Sequence, residues 1–211
     1  MRISAVVPAY NEENTIAGVI NVLKDIKIIN EIIVVSDGSR DGTAGVAKSC
    51  GAHVIELPDN MGKGAAVKAG LENSSGEIVL LMDADLVGLK RKHVEMLVKP
   101  VMDGIADMTV GLFTSGRFST DLAQKIAPQL SGQRAVRRSV LLGLTNIEAT
   151  GYGIEVALTR YADVENLRVQ EVELEDLTHI TKEEKLGFIR GFSQRLRMYW
   201  QIYRGFLMVR R

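Results

Sequence analysis

Short apolar runs alternate along this chain with segments whose apolar residues recur every three or four positions. "RISAVV" at 2–7 is stopped by Pro8, and Ile16, Val19, Ile20 and Leu23 then share one helical face. The order returns in "EIIVVSDGS" at 31–39, followed by a helix through Ala44 and Val46 that Asp41 or Thr43 could cap. "HVIEL" at 53–57 predicts a third strand, "GKGAAVKAGLEN" at 62–73 a third helix, and "EIVLLMDAD" at 77–85 a fourth strand. These strands are unbroken apolar runs, which implies burial on both faces and a mostly parallel sheet between helices.

Beyond Leu86 the rhythm loosens. "KRKHVEMLVKPVMDG" predicts a helix, 106–113 a strand, and 114–133 is rich in Gly, Ser and Thr. A helix is expected over about 134–144, another from near Ile154, and "NLRVQEVEL" at 166–174 alternates like a half-buried strand. The chain ends in a long helix from about Glu183. No composition break marks a second unit, so one α/β domain is expected over 1–211.

Composition narrows the function classes. Lys plus Arg and Asp plus Glu number 26 each, so no net field draws the chain to nucleic acid. The single Cys50 excludes an internal disulfide and fits a reducing, cytoplasmic compartment. No apolar run approaches the roughly 18 residues of a membrane span, and "ISAVV" leads into polar residues unlike a signal peptide.

In an open parallel sheet the ligand lies beyond the carboxyl ends of the strands. The chemistry-bearing residues fall there: "PAYNEE" after strand one, "SDGSRDGT" after strand two, "DNMGKG" after strand three and "DAD" at the end of strand four. Gly62 and Gly64 let the backbone approach an anion at a helix N-terminus, where Lys63 adds charge. Asp37 and Ser39 could hydrogen-bond a base or ribose, although Asp37 taken alone also suits an Asx-turn. Asp83 and Asp85 are oxygen ligands that a hard divalent cation would share with a diphosphate. Alone, the pair also suits a solvated strand end.

"VVPAYNEENTI", "IIVVSDGSRDGT", "NMGKGAAVKAGL" and "GEIVLLMDADL" stand in the order and spacing of the GT-A glycosyltransferases, and residues 3–86 resemble their family 2. The resemblance implies a GT-A, Rossmann-like fold and a nucleotide-sugar donor, UDP-glucose favoured, bound with Mg²⁺ or Mn²⁺. It implies Pro8, Ala9, Tyr10, Glu12, Asp37 and Ser39 around the nucleoside and Gly62 and Lys63 near the diphosphate. Asp83, Ala84 and Asp85 would form the Asp-x-Asp motif, with both carboxylates on the metal. One departure is Ser36, where relatives often carry a second acid before "GS". On this reading 1–86 binds the donor, 87–182 the acceptor, and 183–211 forms the terminal helix.

The second half is similar to glucosyl-3-phosphoglycerate synthases through "LSGQRAVRR" at 130–138 and "ATGYGIEVAL" at 149–158. The likeness implies an anionic acceptor held near Gly132 and Arg134, with Glu155 touching the acceptor hydroxyl or acting as base. Arg134 equally suits a helix-capping loop, and Glu155 a helix dipole. His179 follows the alternating strand, and in similar enzymes a late His completes the metal shell. No unambiguous Glu-Asp base motif is present, since Glu155 follows Ile154, which leaves retention of configuration open, and the likeness of "SGQR", "GYGIE" and the late His179 to the glucosyl-3-phosphoglycerate group tilts the expectation toward it.

In the terminal helix Ile189, Phe192, Leu196, Tyr199, Tyr203 and Phe206 form an apolar stripe, while Arg190, Arg197, Arg204 and Arg211 recur every seventh residue. Packing in a homodimer is favoured there over a peripheral contact with anionic lipid. The rival functions are transfer to a polyprenyl or other lipid phosphate, sugar-1-phosphate nucleotidyl transfer, and a silent nucleotide-sugar-binding module. The nucleotidyltransferase reading is weakened because "PAYNEE" stands where its glycine-rich loop should follow strand one.

Overall fold

The computed structural model describes residues 1–113, 131–145, 147, 150 and 153–179. Residues 1–86 alternate strand and helix as their pattern predicts: β1 (Ile3–Ala9), α1 (Ile16–Lys24), β2 (Glu31–Asp37), α2 (Thr43–Ser49), β3 (His53–Leu57), α3 (Lys63–Glu72) and β4 (Ile78–Leu81). After a short β5 (Leu86–Val87) come α4 (Arg91–Met102), β6 (Met108–Phe113), β7 (Arg134–Arg137), α5 (Arg138–Gly143), α6 (Ile154–Val164), β8 (Val169–Leu174) and β9 (Thr178–His179).

Seven strands form one sheet in the order β3-β2-β1-β4-β7-β6-β8. Strand β7 runs antiparallel to both its neighbours, and the other pairings are parallel. Six carboxyl ends therefore share one rim, while β7 enters from that rim and descends. Helices α1 and α4 cover one face, with Ile16, Ile20, Leu97 and Val101 fully buried. Helices α3, α5 and α6 cover the other through residues such as Val67, Leu141 and Leu158. The double cover explains the unbroken apolar runs of β1, β2 and β4.

The helix expected over 134–144 is corrected. Its first four residues form β7, paired with Leu81, Leu80, Val79 and Ile78 of β4 on one side and with β6 on the other. Strand alternation places Val136 with the α3–α6 core and Ala135 with the α1–α4 core, both fully buried. Filling the gap between β4 and β6 satisfies backbone groups on both neighbours, and this outweighs local helix preference. The fourth strand is also shorter than expected: it ends at Leu81, and Asp83 to Asp85 form the turn into β5. The expected terminal helix lies outside the described residues. Among those described, no helix is long and apolar enough to cross a membrane.

Candidate active site

The first two rim loops are sewn together by short polar side chains. Asn11 N–H donates to Ser39 Oγ at 3.2 Å, and the amide of Arg40 returns a bond to Asn11 Oδ1 at 2.9 Å. Glu12 N–H donates to Thr43 Oγ1 at 2.7 Å, and Gly42 N–H to Glu13 Oε2 at 2.7 Å. Pro8 and Ala9 end β1 beside this seam, and Tyr10 stands exposed beyond it. The residues expected around a nucleoside thus converge on one stretch of rim.

Asp37 holds the third loop. Its Oδ1 accepts from Met61 N–H at 2.7 Å and its Oδ2 from Gly62 N–H at 2.9 Å, and the side chain is buried. The local Asx-turn reading is thereby replaced by a clamp across 24 and 25 residues. Gly62, at φ +91°, then turns the chain into α3 and delivers Lys63.

Lys63 is the centre of the site. Its ammonium meets Asp83 Oδ1 and Glu155 Oε1, each at 2.5 Å. The three side chains are only 18%, 20% and 11% exposed, so water screens their attraction weakly. Burial alone would push the ammonium down, but Asp83 and then Glu155 hold it above the ordinary lysine value. Glu155 comes from the first turn of α6, so the segments 1–86 and 87–182 meet at a single cation.

Arg134 is corrected. Expected on the rim facing an anionic acceptor, it is enclosed with no exposure. Its Nε donates to Ser131 O at 2.9 Å and its Nη2 to Thr159 Oγ1 at 3.0 Å, beneath the first turns of α6. Strand alternation causes this, because Arg134 opens β7 on the same face as Val136. Burial pushes its guanidinium down to about 10 while Glu155 opposes the shift, so the group remains charged at neutral pH.

Gln133, between Gly132 and Arg134 in the 130–138 segment, makes a contact that the sequence does not announce. Fully buried, it donates from Nε2 to Asp83 Oδ2 at 2.7 Å. Its neighbour Gly132 lies flat on the ion pair: a Cβ there would stand 2.5 Å from both Lys63 Nζ and Asp83 Oδ2. The only signal for this in the sequence is the small residue beside an amide, and it means nothing until β7 is known to be a strand.

Asp85 is half-buried at the turn after Asp83, and Ala84 between them is buried. β9 pairs antiparallel with β5 so that His179 lies opposite Leu86, one residue beyond Asp85. The backbone therefore brings His179 to the motif, although not through the parallel strand of the main sheet; its imidazole lies outside the described side chains. Carboxylate oxygens closing a half-shielded strand end suit a hard divalent cation such as Mg²⁺ or Mn²⁺.

The sequence model for the family described as Glycosyl transferase family 2 matches residues 4–152, which carry the rim loops above but neither α6 with its Glu155 nor β9. The chain belongs to glycosyl transferase family 2. Within that family it is 32% identical over 193 residues to the glucosyl-3-phosphoglycerate synthase of Mycobacterium tuberculosis H37Rv, a match covering 74% of this chain and 59% of that protein. The chain thus spans about three-fifths of the length of that relative. Dolichyl-phosphate beta-glucosyltransferase ALG5D of Trichomonas vaginalis is 38% identical over 117 residues, covering 46% of this chain and 36% of its own length. A crystal structure of the M. tuberculosis synthase with Mn²⁺, uridine diphosphate and glucosyl-3-phosphoglycerate gives a TM-score of 0.82 at 28% identity, over 98% of this chain and 79% of that one. The sheet and its helices are the GT-A fold of those structures.

Proposed function

We propose that this chain is a metal-dependent glycosyltransferase domain that moves a hexose, glucose favoured, from a UDP-sugar to a phosphorylated or otherwise anionic acceptor of the 3-phosphoglycerate kind. The observation that carries the reading is the Lys63 ammonium shared between Asp83 of the donor half and Glu155 of the acceptor half. A cation so placed stabilises negative charge arriving on a leaving diphosphate. The relatives support the donor and acceptor classes, since a solved synthase holds Mn²⁺, UDP-glucose and phosphoglyceric acid together.

Asp83, Asp85 and, through the β5–β9 pairing, His179 would hold Mg²⁺ or Mn²⁺. Bound there, the cation would supply charge neutralisation at the diphosphate. The chain's own contribution is position. Pro8, Ala9, Tyr10, Glu12 and Ser39 would border the nucleoside, and Asp37 would set the loop that delivers Gly62 and Lys63. Glu155 would face the acceptor hydroxyl from the opposite wall. The enclosed Arg134 would then support Glu155 from below through Thr159, whose Oγ1 accepts from Arg134 and donates to the Glu155 carbonyl at 3.0 Å.

The test is turnover of UDP-glucose with Mn²⁺, crossed with 3-phosphoglycerate and a polyprenyl phosphate, with product anomeric configuration read by NMR. Metal-dependent transfer to 3-phosphoglycerate is expected. Asp85→Ala should abolish the Mn²⁺-dependent part of UDP binding in calorimetry. Equal UDP affinity with and without Mn²⁺ in the unaltered protein would remove the metal from the reading, and transfer to the polyprenyl phosphate alone would change the acceptor class.

A further inference from the structure

The Asp83 carboxylate is gripped from two sides, with Oδ1 on Lys63 and Oδ2 on the Gln133 amide. Gln133 is itself immobilised. Its backbone carbonyl accepts from Gly111 N–H at 2.8 Å at the upper end of β6. Ser131 Oγ, which donates to the Gly111 carbonyl at 2.5 Å, lies 3.2 Å from Gln133 Oε1. A carboxylate only accepts, so Asp83 fixes which end of the amide faces it. The segment 131–133 is therefore a rigid bracket tied to β6, with a donor aimed at Asp83 and a missing side chain at Gly132 that leaves room for the Lys63–Asp83 pair.

We infer that Gln133 is a positioning residue for the donor site. Its amide holds Asp83 in the orientation that places the Lys63 ammonium between Asp83 and Glu155, and Gly132 preserves the space in which the pair forms. This rests on the donor reading above. The bracket comes from residues 131–133, so the place of β7 in the sheet sets the place of the Lys63 ammonium. Removing the amide frees Asp83 to rotate, and Lys63 then loses its fixed place even though no ligand-facing charge has been deleted.

Two measurements on Gln133→Leu, which keeps the size and removes the donor, test this. The first is the hydrogen exchange of the Lys63 ammonium by ¹⁵N NMR, which needs no substrate. The second is UDP affinity with Mn²⁺ by calorimetry. Hydrogen bonds to charged groups carry enough energy that loss of this one should weaken UDP binding roughly tenfold and speed ammonium exchange by a similar factor. Gln133→Asn keeps the amide but draws it back by one carbon, so its N–H₂ no longer reaches Asp83, and it should weaken UDP binding and speed ammonium exchange as Gln133→Leu does. This variant also decides the matter if Gln133→Leu fails to fold. Unchanged ammonium exchange overturns the bracket, and unchanged UDP affinity overturns its link to the donor. If the unaltered protein binds no UDP, the donor reading fails, while the exchange comparison still decides whether Gln133 holds the pair.

Discussion

Asp37 spends both carboxylate oxygens on backbone amides of the next loop, Met61 and Gly62. An Asn at this position would turn an N–H₂ toward one of those donors and leave a buried amide without an acceptor. Asp37→Asn should therefore lower stability by about 1–3 kcal/mol, measured by urea unfolding. It should also weaken UDP binding by loosening the approach to Lys63. An unchanged midpoint would show that the loop holds its shape without the clamp. The residue types at this site were legible in the sequence because acids, glycines and a lysine cluster at four strand ends. Their partners were not, since Asp37, Lys63 and Gln133 reach across 25, 92 and 50 residues respectively, and only the folded sheet closes those distances.

Among the elements, the parallel strands announced themselves and β7 did not. β1, β2 and β4 are buried under helices on both faces, and such a strand must be apolar throughout. β7 begins with Arg134 and ends with Arg137, and four residues are too few to display a period, so "RAVR" reads as the start of the helix that follows it. The β5–β9 pair is shorter still, at two residues each, and is held by a close approach. Gly88 has φ +83°, and a Cβ there would collide with the Asp176 carbonyl. Lys90 and Asp176 bridge the same junction at 3.0 Å. Gly88→Ala should therefore part β9 from β5 and carry His179 away from the Asp-x-Asp turn. If His179 completes the metal site, Mn²⁺-dependent UDP affinity should fall by at least roughly tenfold, since losing a ligand costs no less than losing a group that orients one, while metal-free binding is unaffected. A variant whose Mn²⁺ titration matches the unaltered protein would separate His179 from the metal.

Across the whole molecule, the rim that carries the chemistry is opposed by a base that carries charge for stability. At the lower ends of β6, β7 and β8, Asp107 accepts from Arg168 Nε at 3.0 Å and Nη2 at 2.7 Å, and Arg137 Nε stands 3.1 Å away. Bidentate contact with Arg168 holds the Asp107 carboxyl well below its ordinary value, at about 2, against a modest opposing effect of burial. The sign follows from linkage: the unfolded chain takes up this proton at a higher pH than the folded one, so the clasp stabilises the fold above pH 3.8 and that contribution drains away as pH falls toward about 2. Asp107→Asn should accordingly be less stable than the unaltered protein at neutral pH, and the difference should shrink across that acid window in urea unfolding followed by circular dichroism. UDP affinity at neutral pH should be unchanged, because the clasp lies at the amino ends of the parallel strands and the loops proposed to bind the donor at their carboxyl ends. A difference in stability that stays constant from neutral pH down to about pH 2 would mean that the ionised carboxylate is not what ties the three strands, and the base of the sheet would then owe its order to its apolar contacts and to the backbone bonds among Asp107, Arg137 and Arg168.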